Sequence, residues 1–163
     1  MTIEELSAYG LTRMDDEQIE MYLKVHHIGV LALPAEGAPY QIPMAYGYDG
    51  GTSLYFNFVT GQSSRKVELS ETSGKASFLV YRAETIFNWR SVALSGSIRP
   101  LQDDEYADLT EAQLPAWRPE LLETASESEP TRIFEFEIEE QSGVRHAIQP
   151  PADWQRVSPE RSG

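Results

Sequence analysis

At 163 residues, with no cysteine and a net charge of −13, the chain has the length of one domain with a real core, and disulfide, thiolate and cysteine–zinc chemistry are excluded. Its only lysines are Lys24, Lys66 and Lys75, so nucleic acid and anionic lipid are poor partners for its surface. No apolar run approaches the roughly 18 residues of a membrane span and no leader pattern opens the chain, so a cytoplasmic protein is expected; the acidity adds the expectation of a high-salt habitat.

Residues 1–14 read as a loose lead-in. Asp15 begins a helix, with Gln18 as its capping-box partner and Ile19, Tyr22 and Leu23 at helical spacing, ending near His26. Ile28 to Leu33 is a short apolar strand, Pro34 to Gly37 a turn, and Pro39 to Tyr48 a second strand. Asp49-Gly50-Gly51 is a hairpin signal leading to a third strand, Ser53 to Val59. No crossover helix fits between these strands, so the pairing is expected to be antiparallel. Ser63 or Ser64 caps a short helix through about Ser70. Ala76 to Tyr81 is a strand, and Phe87 to Leu101 a long one with Gly96 as a bend or bulge. Asp103-Asp104-Glu105 opens an acidic helix with Leu109 and Leu114 on its apolar side. Pro115 and Pro119 break the chain, Leu121 and Leu122 suit a further helical turn, and residues 124–130 are polar. Ile133 to Glu139 alternates, Phe134, Phe136 and Ile138 against Glu135, Glu137 and Glu139, as a half-buried strand does; Gln141-Ser142-Gly143 ends it. An irregular tail pinned by Trp154 follows. Residues 1–163 thus read as one mainly β domain, a small closed or nearly closed barrel of six or seven antiparallel strands with a few short helices.

The chemistry concentrates after the third strand. Leu54-Tyr55-Phe56-Asn57-Phe58 is followed by Thr60-Gly61 and then by Ser64-Arg65-Lys66. A hydroxyl and two cations at a helix start supply the donors a phosphate dianion wants; the alternative is a capped helix with solvated cations. His26 and His27 point about 100° apart on a helix, a poor metal face, and fit a helix C-terminus instead. His146 has the chemistry of an acid/base but no identifiable partner. Trp89 suits either a pocket wall or a core or barrel-rim aromatic. Trp117, between two prolines, pins irregular chain.

Together, Leu54 to Asn57, Ser64-Arg65-Lys66, Leu69 and Arg90-Ser91-Val92-Ala93-Leu94-Ser95-Gly96 resemble the FMN-binding split β-barrels related to pyridoxamine 5′-phosphate oxidase. The Trp89-to-Val92 version and Gly37-Ala38-Pro39-Tyr40-Gln41-Ile42-Pro43-Met44 resemble the nitroimidazole-resistance branch. The resemblance implies a flavoprotein, a flavin oxidoreductase if an enzyme. Ser64, Arg65 and Lys66 would hold the FMN phosphate, with Phe56, Asn57 and Thr60 on the strand and turn before them. Pro43, Met44 and Ala45 would run beside the isoalloxazine, Ser91 would stand where the family has a flavin-contacting glutamine, and Trp89 would lie nearby. It also implies a homodimer with FMN in the groove between subunits, which agrees with the edges and apolar surface a half-open barrel exposes. Two departures are plain. The Arg-x-x-x-x-Lys pair of the vitamin B6 oxidases is replaced by Gln41 and Tyr46, and their C-terminal Arg-x-His element has only the adjacent Arg145-His146 opposite it. Two further readings stay open: a non-catalytic flavin-binding or storage protein, and a barrel serving as an interaction module.

Overall fold

The computed structural model of the protein describes residues 1–59, 64–114 and 131–152. Thr60, Ser63, Pro115, Trp117, Pro119, Leu121, Leu122, Trp154 and residues 124–130 lie outside the described residues. In chain order, a 3-10 turn (Glu5–Tyr9) precedes β1 (Leu11–Met14), α1 (Asp16–Val25), β2 (Ile28–Leu33), β3 (Tyr40–Ala45), β4 (Ser53–Val59), α2 (Arg65–Ser73), β5 (Lys75–Thr85), β6 (Asn88–Pro100), α3 (Asp103–Tyr106), a 3-10 turn (Glu111–Gln113) and β7 (Thr131–Ala147). The fold is therefore mostly antiparallel β, with seven strands and three short helices, as a split β-barrel requires. Among the described residues no helix is long and apolar enough to cross a membrane.

The sheet runs β1-β7-β6-β5-β2-β3, and β4 also pairs with β7. β7 is the common member: one edge follows β6 from Phe134 to Ala147, while the other takes β4 over Thr131–Glu137 and β1 over Gly143–His146. The ring closes where Gly47 and Tyr55 form a single bridge, exchanging N–H···O bonds of 2.9 and 3.0 Å. That thin contact between the β3 side and β4 is the split.

Three expectations are corrected. The lead-in is ordered, because Leu11–Met14 completes an edge of β7. Asp49-Gly50-Gly51 turns the chain, with Gly50 at φ 91°, but does not build a β3–β4 hairpin ladder. The backbone just before it is committed elsewhere: the Tyr46 N–H donates to His27 O at 3.0 Å and the Tyr48 N–H to Ala112 O at 2.9 Å. Finally, Gln141-Ser142-Gly143 does not end the last strand, which continues through Arg145 and His146 because β1 and β6 flank it on both sides.

The alternating strands send Leu31, Leu33, Phe56, Phe58, Phe78, Val80, Val92, Leu94, Phe134 and Phe136 into one core. α1 closes one part of it with Ile19, Tyr22 and Leu23, after a reciprocal cap: the Gln18 N–H donates to Asp15 Oδ1 at 2.8 Å and the Asp15 N–H to Gln18 Oε1 at 2.9 Å. α2 leans Val67 and Leu69 on the same core and ends at Gly74, whose φ of 62° suits a residue without Cβ. Gly96 lies at the β6–β7 register shift, where the expected bulge forms.

Candidate functional site

Period two governs the junction of β4 and α2. Leu54, Phe56 and Phe58 turn inward and Asn57 outward. Phe56 is fully buried against Phe78, ring centroids 5.0 Å apart, so only its main chain is left to meet a ligand. Asn57 is half-buried, and its Oδ1 is buried without a hydrogen-bond partner. Ser64 stands at the N-cap of α2, but its hydroxyl makes no capping bond; Ser64 Oγ is also buried and unpartnered. Leaving such groups unsatisfied costs about 1–3 kcal/mol each, so two at one junction mark a place built for another donor–acceptor.

Arg65 and Lys66 occupy the first turn of α2, where backbone N–H groups have no intrahelical acceptor. The Arg65 guanidinium lies over the Tyr40 ring at 5.5 Å and Lys66 Nζ over Phe58 at 5.6 Å. Among the described residues neither forms an ion pair, whereas Arg13, Lys24, Lys75, Arg99 and Arg132 each hold a glutamate. Two cations without an ion pair among the described residues, an unpartnered hydroxyl and a helix N-terminus are the donor set that an anion cradle needs. Tyr40, which sequence reasoning did not single out, ties that cradle to the start of β3 under the arginine.

The other sequence-derived residues share an outer sheet face. Register sets Pro43 beside Val30, Val30 beside Leu79 and Leu79 beside Ala93. Ala45 and Ser91 continue the same face one step along; Pro43 is exposed, Ala45 and Ser91 half-buried. A groove of about 540 Å³ runs over Val30, Ala32, Gln41, Leu79 and Ala93. Met44 differs: it pairs with Gly29 and packs against the core, so its main chain alone adjoins the face. From Tyr40 at the cradle to Ala45 is one strand, about 17 Å. An elongated ligand with a phosphate at one end and a flat apolar group at the other spans such a distance. Thr60 is not among the described residues.

Trp89 stands opposite His146, their rings stacked at 5.6 Å and 28°, on the barrel's outer rim. His146 Nε2 faces Tyr9 O at 3.2 Å and its Nδ1 is buried without a partner. The stack pairs Trp89 with a residue the sequence left isolated, because the β6–β7 register could not be read in advance. His26 is the C-cap of α1, tilted against the Tyr22 ring at 4.2 Å. Burial, then Arg82, His27 and Arg90, hold its imidazole below the usual histidine range. Tyr46 donates its hydroxyl to Leu23 O at 2.8 Å, and burial pushes its ionisation far up, so it is a fixed neutral donor. Among the described residues no group of three or more His, Asp or Glu side chains is arranged to hold a metal.

The pyridoxamine 5′-phosphate oxidase family profile matches residues 15–145. Among solved structures, an FAD-binding protein from Mesorhizobium loti is similar at 22% identity and TM-score 0.67, covering 85% of this chain and 98% of its own. The FAD-binding protein from Mycobacterium smegmatis is similar at 16% identity and TM-score 0.65, with 85% and 100% covered. A proposed 5-nitroimidazole antibiotic resistance protein from Bacteroides thetaiotaomicron follows at 15% identity and TM-score 0.55, with 83% and 87% covered. At these identities the likeness establishes the shared fold. No curated protein matches the chain.

Proposed function

Since the chain belongs to the pyridoxamine 5′-phosphate oxidase family, we propose that it is a flavoprotein, binding FMN as an oxidoreductase of small molecules, with the flavin held between the subunits of a homodimer. The observation that carries this reading is the junction of β4 and α2, where Asn57 Oδ1 and Ser64 Oγ are buried without partners and where Arg65 and Lys66 hold no carboxylate among the described residues. The residues fit the cofactor. Ser64 and the first turn of α2 donate to a phosphate, and Arg65 and Lys66 balance its charge. Asn57 Oδ1 accepts from a hydroxyl or ring N–H, and the Pro43–Ala45 main chain and Ser91 face the ring. When bound, the flavin supplies the hydride or electron transfer; the chain binds it, orients it and tunes its electronics.

Vitamin B6 oxidation is not the reading. The position at which the resembling oxidases place a lysine holds Tyr46, which is only 1% exposed and bonded to the α1 backbone. A partner subunit is supported by the outer face, where Ile28, Leu79 and Tyr81 are 64%, 38% and 61% exposed. FMN and FAD have the same ribityl phosphate, and the similar proteins named as FAD-binding make FAD the natural competitor. The test is titration of flavin-free protein with each, followed by absorbance between about 350 and 500 nm. Saturable binding with FMN tighter than FAD is expected; binding of neither overturns the proposal. Turnover with NAD(P)H and an acceptor then separates an oxidoreductase from a flavin carrier.

A further inference from the structure

The described cations that hold no carboxylate fall into two groups. One is Arg65 and Lys66. The other is Arg82, Arg90 and Arg145, which register places side by side on β5, β6 and β7. Like charges directly opposite each other on neighbouring strands repel and weaken a sheet. Three in a row are unexpected in a chain with 26 acidic residues, where opposite charge is never scarce. Beside the row lies a cavity of about 220 Å³, walled by Tyr22, His26, Arg82, Asn88, Trp89 and Arg90. Glu84 also borders it, but its carboxylate accepts from Asn88 Nδ2 at 2.8 Å and reaches neither arginine within ion-pair distance. Burial first, and then the nearby Arg82, His27 and Arg90, disfavour the imidazolium of His26.

We propose that this cavity at the end of the β5–β6 hairpin is a second anion site, taking the phosphate or carboxylate group of a small ligand between Arg82 and Arg90. Two guanidinium forks present planar pairs of N–H donors, the geometry an oxyanion accepts. Arg145 adds charge from the next strand, and the second amide hydrogen of Asn88 is available as a donor. Trp89 offers a flat apolar wall. The volume suits a phosphate or a short dicarboxylate, being below the range of pockets that enclose drug-sized molecules. The site lies apart from the β4–α2 cradle and does not depend on flavin binding there.

The test is thermal melting of the protein in chloride against inorganic phosphate, and in chloride against malonate, at matched ionic strength. The wild-type midpoint is expected to rise with at least one anion, and the better one tells whether phosphate or carboxylate is preferred. The rise should persist in Arg65→Gln/Lys66→Gln, which removes the cations of the β4–α2 junction, and vanish when Arg82→Gln/Arg90→Gln is added to that variant. No rise in Arg65→Gln/Lys66→Gln, or a rise kept after Arg82→Gln/Arg90→Gln is added to it, overturns the site. A second measurement needs no variant: an anion between the arginines cancels their field, so the NMR titration of His26 should move to higher pH in the stabilising anion. An unmoved His26 titration also overturns it.

Discussion

The proposed flavin site gives Arg65, Lys66 and Ser64 separable roles. Charge-assisted hydrogen bonds are worth about 1.5–3 kcal/mol each, so Arg65→Ala/Lys66→Ala is expected to weaken flavin binding by about two to four orders of magnitude in a titration. Ser64→Ala should act differently. It removes a hydroxyl that is buried and unpartnered, so stability measured without added flavin should hold or rise by up to about 1 kcal/mol while flavin affinity falls about tenfold. A stability loss with unchanged affinity would make Ser64 an ordinary cap. His26 carries a pH dependence of definite sign. Its folded value lies below the ordinary 6.5, so on acidification the unfolded chain takes up a proton first. The stability this provides is present above about pH 6.5 and lost as pH falls through the folded value. In anion-free buffer, His26→Gln should flatten that part of a melting-midpoint-against-pH curve.

At the scale of elements, Gly96 has the closest backbone approach among the described glycines. A Cβ there would run into the Glu137 carbonyl oxygen and lie 2.9 Å from the carbonyl carbon, both backbone atoms of β7. Gly96→Ala should therefore cost about 2–4 kcal/mol, seen as a lower denaturant midpoint with an unchanged slope. This bulge was legible in the sequence, as were α1 with its Asp15–Gln18 cap, β2 and β4 to their end residues, because each is announced by local periodicity or a local cap. What was not legible is non-local. Nothing in Asp49-Gly50-Gly51 reveals that Tyr46 and Tyr48 spend their N–H groups on His27 and Ala112, leaving β4 to pair with β7. Nothing in Gln141-Ser142-Gly143 reveals flanking strands on both sides, which hold a polar stretch extended. The site divides the same way. The cation turn is contiguous and readable, while Tyr40 beneath Arg65 and His146 on Trp89 are met only through folding.

For the whole molecule, charge and assembly interact. Of the three glutamates that alternate along β7, Glu135 has Arg99 and the Tyr55 hydroxyl, and Glu139 has Lys75 and Ser97; Glu137 is exposed. The Lys75–Glu139 bridge is largely exposed and worth little, while Arg99 holds Glu105 through two N–H···O bonds and Glu135 at 3.4 Å. Against these few bridges stands the repulsion of a net charge of −13, which extends over about 30 Å at low ionic strength and about 3 Å in molar salt. We propose a halophilic protein on that ground. Melting midpoints should climb steeply from low to multimolar KCl, and flavin retention with them if the dimer encloses the flavin. A flat or falling midpoint would remove the high-salt reading and leave the flavin proposal intact.

β7 also has a consequence for synthesis on the ribosome. Every neighbour it joins, β1, β4 and β6, is translated earlier, and the hydrogen-bonding edges they offer it have no other strand to take them until residues 131–147 emerge. The nascent chain therefore carries open strand edges until β7 emerges, with the apolar side chains of Leu54, Phe56 and Phe58 uncovered on the β7 side of β4. Closure is a long-range event, so refolding should be slow and limited by capture of β7. Stalled nascent chains ending before residue 131 should stay protease-sensitive throughout, and resistance should arrive in one step once β7 has cleared the exit tunnel.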